Sequence, residues 1–119
     1  MTRSPLHRLC DIAENIDNAV HWIDGKSARD IGLDDKLSAA IQMAIVIIAE
    51  AANHLPDAML TTHPAIPWSD IIGMGNRLKH NYHHTSSQVI WDTVTNDLPQ
   101  LRLVVTAMIA VLEKDEVPA

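Results

Sequence analysis

The residue types that could carry chemistry in this chain are concentrated in one short segment, residues 67–84. Cleavage of an RNA phosphodiester can proceed without metal when the substrate's own 2′-hydroxyl attacks the phosphorus. The reaction needs a group that takes the hydroxyl proton, a group that protonates the leaving oxygen, and a cation for the phosphorus oxygens. Histidine exchanges protons near neutral pH, and arginine grips phosphate oxygens through its planar fork. The segment predicts a candidate site of this kind, formed by Arg77, Lys79, His80, Asn81, Tyr82, His83 and His84.

Each of these residues also has a structural interpretation, and residue types alone do not decide between the two. Arg77 and Lys79 can be solvated charges on a helix, and His83 and His84 can be polar loop residues. His80 and His84 have the i, i+4 spacing of a helical pair of metal ligands, but no cysteine or carboxylate lies within that stretch. We therefore predict no metal site and no cofactor.

A helix over residues 67–84 would position these side chains. Pro67 suits the first helical position, and Asp70 lies in the first turn, where a carboxylate stabilises the helix dipole. One face of this helix is apolar at helical spacing and contains Trp68, Ile71, Leu78 and Tyr82. A second stripe is basic and contains Arg77, His80 and His84.

The charge and the apolar content of the whole chain restrict the kind of protein that it can be. Lys plus Arg is 9 and Asp plus Glu is 15, which gives a formal net charge of -6. This balance argues against a broad nucleic-acid-binding surface but leaves room for one local site. The first five residues lack the apolar run of a signal peptide, and the apolar run over residues 39–52 is too short to cross a bilayer. We expect a soluble, cytoplasmic protein.

The hydrophobic pattern predicts an all-α bundle of four to five helices, in a single domain over residues 1–119. Pro99 should restart or kink the chain before the final helix, since a proline lacks the N–H that a helix interior needs. The other helix boundaries follow from caps and breakers, namely Ser4 with Pro5, Asp24 with Gly25, Asp34, and the segment 85–87.

The second helix, from Asp34 to about His54, is apolar on most sides. In so small a domain this predicts that one face meets its own bundle and another meets a second copy of the chain. Glu50 lies within this helix, and we expect it to be buried. It could be paired with any neighbour, or it could orient Arg77 or His80, since a buried carboxylate needs a partner.

Several sequence blocks occur in an order that resembles one known family. They include Ile-Ile-Ala-Glu-Ala-Ala at 47–52, Pro-Ala-Ile-Pro-Trp at 64–68 and Ile-Ile-Gly-Met-Gly-Asn-Arg-Leu-Lys-His-Asn-Tyr at 71–82. Val-Ile-Trp-Asp-Thr-Val at 89–94 and Asp-Leu-Pro-Gln-Leu at 97–101 follow. The chain resembles the HepT-like toxins of the HEPN superfamily from about residue 6 to about residue 112.

The resemblance implies a HEPN-type helical bundle that acts as a homodimer and cleaves RNA at the dimer interface. It also implies a type VII-like toxin–antitoxin pair, in which a minimal nucleotidyltransferase is the antitoxin. The family motif is an arginine, four to six residues, a histidine, any residue and a tyrosine. By that pattern His80 is the catalytic histidine, and Tyr82 is the tyrosine that the nucleotidyltransferase modifies with AMP.

The arginine of the motif is absent from its expected place. When the chain is aligned on His80, that place is occupied by Gly75. Losing a preorganised cation typically costs on the order of a hundredfold in rate. Two functions stay open. One is a ribonuclease with His80 and Arg77 as catalytic residues and with Lys79 and Asn76 binding phosphate. The other is a weakened or inactive protein that dimerises and binds the nucleotidyltransferase or a nucleotide.

Overall fold

The computed structural model describes residues 4–81 and 85–116, and within these ranges its regular structure is entirely helical. The all-α prediction is therefore confirmed. The elements are α1 (Pro5–Trp22), α2 (Ala28–Leu33), α3 (Asp35–Asn53), α4 (Asp57–Thr61), α5 (Trp68–Asn81), α6 (Ser87–Asp92), a π-helical segment (Thr93–Asp97) and α7 (Leu98–Glu116).

Local capping interactions set the helix starts that the sequence predicts. The Ser4 hydroxyl accepts a hydrogen bond from the His7 N–H at 3.2 Å, and Pro5 is the first residue of α1. The Asp34 carboxylate accepts one from the Leu37 N–H at 3.0 Å at the start of α3. Such side chains satisfy amide groups that have no partner inside the helix.

Helix α3 organises the core, because it packs against both α1 and α5, while α7 packs against α1. The fully buried large side chains come from several elements and form a continuous cluster: Leu9, Ile12, Ile16, Ile31, Ile41, Ile48, Ile90, Val94, Leu98, Leu101 and Val105.

The last part of the chain contains a π-helical segment that the sequence does not predict. Pro99 lies in the first turn of the final helix α7, and α6, the π-helical segment and α7 follow one another without a break. A proline ring in an ordinary α-helix clashes with the carbonyl four residues earlier, here that of Thr95. The wider π turn at Thr93–Asp97 ends two residues before this proline and includes Thr95, and a wider turn relieves such a clash.

Parts of the predicted apolar surface lie outside the core. Among the apolar side chains outside the core, Val20, Trp22 and Val89 are exposed. Helix α3 likewise leaves Met43 and Ile47 exposed, by 59% and 37%. Within the described ranges, no helix combines the length and the apolar character that a membrane span requires.

Candidate active site

Helix α5 carries the candidate site, and its apolar face is buried as the sequence predicts. Trp68 and Leu78 are buried, and the Trp68 indole N–H donates a hydrogen bond to the His63 carbonyl at 3.1 Å. This bond ties the first turn of α5 to the preceding loop. With this face held against the bundle, the polar side chains Asn76, Arg77, Lys79 and His80 are exposed.

Gly75 lies on the buried face of α5 and packs tightly against α3. A Cβ atom placed on Gly75 would lie 2.2 Å from the Ala49 Cβ and 3.7 Å from the Ala49 Cα. Carbon atoms normally pack at about 3.5–4.0 Å. Any side chain at this position, arginine included, would therefore push the two helices apart. The sequence identifies Gly75 only as a missing cation, whereas the structure gives it a packing role.

Lys79 forms an ion pair with Glu50, a pairing that the sequence did not predict. Its ammonium group donates a hydrogen bond to Glu50 Oε2 at 2.6 Å, and the other carboxylate oxygen of Glu50 lies 3.0 Å from His54 Nε2. Hydrogen bonds from Lys79 and then from His54 lower the pKa of the Glu50 carboxyl.

Of the two alternatives for Glu50, pairing with a neighbour is confirmed, whereas orienting Arg77 or His80 is not. The expectation that Glu50 is buried is wrong. Its side chain is 47% exposed, because α3 turns this position toward the solvent beside the end of α5. The spacing of Glu50 and His54 was a visible i, i+4 signal for part of this network. The pairing with Lys79, 29 residues away, was not visible in the sequence.

Arg77 lies on a different side of α5 from Lys79. It lines a cavity of about 330 Å³ together with three carboxylates, those of Asp70, Asp92 and Asp97. Burial, and then the negative charges of Asp92 and Asp70, raise the pKa of the Asp97 carboxyl. The surroundings of Arg77 are therefore acidic, and they disfavour a phosphate in this cavity.

His80 lies in the last turn of α5, is exposed, and has no hydrogen-bond partner within the described part of the chain. Its imidazole is therefore accessible to a ligand. Tyr82, the predicted modification site, and His83 and His84 lie outside the described residues. Among the side chains that the structure describes, no group of three His, Cys, Asp or Glu residues is arranged to hold a metal ion.

Comparison with known proteins identifies the family. A family model described as Ribonuclease HepT-like matches residues 11–108. A protein of Thermococcus cleftensis described as a probable ribonuclease HepT is 34% identical over 102 residues, covering 86% of this chain and 93% of that protein. A candidate RNase of Caldanaerobacter subterraneus is 29% identical over 99 residues, covering 83% and 88% respectively. No solved structure matches the chain significantly.

This chain belongs to the HepT-like ribonuclease family, because the family model covers most of its length. The membership confirms the resemblance seen in the ordered sequence blocks, and the helical structure agrees with a HEPN-type fold.

Proposed function

We propose that this chain is a metal-independent endoribonuclease and the toxin of a type VII-like pair with a minimal nucleotidyltransferase antitoxin. The observation that carries the proposal is the exposed imidazole of His80, which has no partner among the described residues and lies on the basic end of α5 in a chain of this family. Lys79 and Asn76 are exposed neighbours available to phosphate, whereas the exposed Arg77 lines a cavity with three carboxylates.

In the proposed reaction, the substrate 2′-oxygen forms a bond to phosphorus while the bond from phosphorus to the 5′-oxygen breaks. One imidazole takes the 2′-hydroxyl proton and a second gives a proton to the leaving 5′-oxygen. The products are a 2′,3′-cyclic phosphate and a 5′-hydroxyl. A homodimer supplies both imidazoles, because each copy presents one His80.

The dimer in this proposal has a candidate contact surface on α3. Met43 and Ile47 are exposed there, although most of the same helix is buried in its own bundle. Covering such side chains is favourable by about 25 cal/mol per Å² of apolar surface. Gel filtration that shows only monomer at micromolar concentration would count against the shared site.

AMP modification of Tyr82 is the proposed off switch. AMP on the tyrosine oxygen would add a negative phosphate near the position that an RNA phosphate must occupy. Charge repulsion and bulk would then block the site. A mass spectrum of the chain after incubation with ATP and the nucleotidyltransferase tests this step, and a mass without added AMP would contradict it.

The central test is RNA cleavage in the presence of EDTA. We expect the chain to cleave RNA with EDTA present, and His80→Ala to lose about 100-fold or more, which is typical of removing a general acid–base group. His21→Ala is the matched control, because His21 is an exposed histidine on α1, away from α5. Full activity in His80→Ala, or loss of activity with EDTA, would overturn the proposal.

Gly75 favours a second candidate function, a protein that binds without cleaving. The family arginine is absent from its motif position, and the contact with Ala49 leaves no room for it. Under this alternative the purified chain binds the nucleotidyltransferase or a nucleotide but leaves RNA intact, and His80→Ala changes neither result. The cleavage assay with EDTA therefore separates the two candidates.

A further inference from the structure

We infer that Lys79 supplies the phosphate-binding cation that the motif arginine supplies elsewhere in the family, and that Glu50 is its positioning residue. The inference rests on the proposed function. It assigns to Lys79 the role that residue types alone shared among Arg77, Lys79 and Asn76.

The first step is the geometry around Gly75. Position 75 cannot hold a side chain while α3 and α5 keep their present separation, because Ala49 occupies the space. Lys79 follows one helical turn later, and long helical side chains extend back toward the N-terminus of their helix. Lys79 and Gly75 accordingly line the same small depression, together with Glu50 and Asn76. Lys79 thus places a cation on the surface next to position 75, where the family motif has its arginine.

The second step is the hydrogen bonding of the ammonium group. Lys79 donates to Glu50 Oε2 at 2.6 Å, and His54 engages the other oxygen of that carboxylate. A lysine ammonium has three N–H donors, so two remain for phosphate oxygens. The Lys79 and Glu50 side chains are 37% and 47% exposed, so a phosphate can approach the pair without unfolding any element.

The third step is the comparison with Arg77, the other nearby cation. Arg77 shares its cavity with Asp70, Asp92 and Asp97. Lys79 and its partner Glu50 line a different groove, between α1 and α3. That groove contains one further carboxylate, Asp11, and one further cation, Arg8. A phosphate at Arg77 would meet three carboxylates. The charge distribution therefore favours Lys79.

The test of Lys79 is binding of a short RNA whose 2′-hydroxyls are methylated, because that probe cannot be cleaved by 2′-oxygen attack. We expect Lys79→Met to weaken binding about tenfold at low salt, the typical effect of losing one charge-assisted hydrogen bond. The slope of log affinity against log salt should fall by about 0.7, the value for one phosphate contact on a single strand. Lys79→Arg should retain the slope.

Two comparison variants make the binding test specific. Lys26→Met removes one exposed lysine from the loop after α1 and should leave the slope unchanged. If Lys79→Met keeps the wild-type slope, or if Arg77→Met loses it instead, the inference is wrong. If the unmodified chain does not bind the probe at all, the proposed ribonuclease function fails first, and the two failures are thereby distinguished.

The test of Glu50 as a positioning residue requires a signal that comes from the Lys79 ammonium group itself and not from the fold. The ¹H–¹⁵N resonance of the Lys79 ammonium should be observable in the free chain, because the ion pair with Glu50 holds the group, and it should shift when the probe binds. Glu50→Gln should broaden or remove this signal while circular dichroism stays unchanged. An unaltered Lys79 resonance in Glu50→Gln would overturn the positioning role.

Discussion

The contact between Gly75 and Ala49 makes a sharp prediction about stability. A Cβ on Gly75 would lie 2.2 Å from the Ala49 Cβ, which is roughly 1.5 Å closer than two carbons normally pack. Overpacking a core typically costs about 1–3 kcal/mol, and we take the upper end because both atoms are fixed to helix backbones. Alanine gains about 1 kcal/mol over glycine in helix propensity. Gly75→Ala should therefore lower the free energy of unfolding by about 2 kcal/mol.

Exchanging the two small residues tests the same contact in reverse. In the double variant Ala49→Gly with Gly75→Ala, the nearest atoms to the new methyl group are the Cα atoms of residue 49 at 3.7 Å and of Val46 at 3.9 Å, which are ordinary contacts. The propensity terms of the two substitutions then cancel. The double variant should recover to within about 1 kcal/mol of the original chain.

The assay is urea unfolding followed by circular dichroism at a fixed protein concentration. Gly73→Ala is the matched control, because a Cβ there would meet only Arg77 Nη1, at 3.7 Å. This control should gain about 0.5–1 kcal/mol. If Gly75→Ala is as stable as Gly73→Ala, or if Ala49→Gly does not rescue it, the packing explanation for Gly75 is wrong.

The same contact changes how the missing arginine should be tested. Gly75→Arg alone would separate α3 from α5 and would disturb the Lys79–Glu50 pair that links them. Any loss of activity would then report packing as well as chemistry. Introducing the arginine together with Ala49→Gly makes room for its Cβ and isolates the effect of the added charge.

Two further predictions concern charge. The native pKa of Asp97 is raised above its ordinary value of 3.8, so the folded state binds this proton more tightly than the unfolded state, and stability is lost as pH rises through the window above 3.8. Asp97→Asn should therefore raise the urea midpoint at pH 7 but not at pH 3, and an equal shift at both values would contradict the electrostatic cause. Arg102 bonds both carboxylate oxygens of Asp17, at 2.9 and 3.1 Å, and so joins α7 to α1. Arg102→Lys should cost up to about 1 kcal/mol at this exposed site, and a double-mutant cycle with Asp17→Asn that gives no coupling energy would refute the pair.

Much of the local structure was predictable because its causes lie within a few residues. Ser4 and Asp34 each bond an amide three residues later, so their positions mark the starts of α1 and α3. The buried face of α5 follows from helical spacing, and Trp68 and Leu78 lie where that spacing places them. The family could also be recognised from the sequence, because its ordered blocks span most of the chain.

The relations between helices were decided only by the tertiary structure. Glu50 meets Lys79, Gly75 meets Ala49, and Arg77 lies among carboxylates that include Asp92 and Asp97 beyond the end of its own helix. Each relation depends on the distance and rotation of one helix against another. The periodicity of a single helix shows which face is apolar, but not which residue of a neighbouring helix lies opposite a given side chain. For that reason the sequence could propose several cations for phosphate, whereas the packing of α3 against α5 is the basis of our inference that Lys79 binds it.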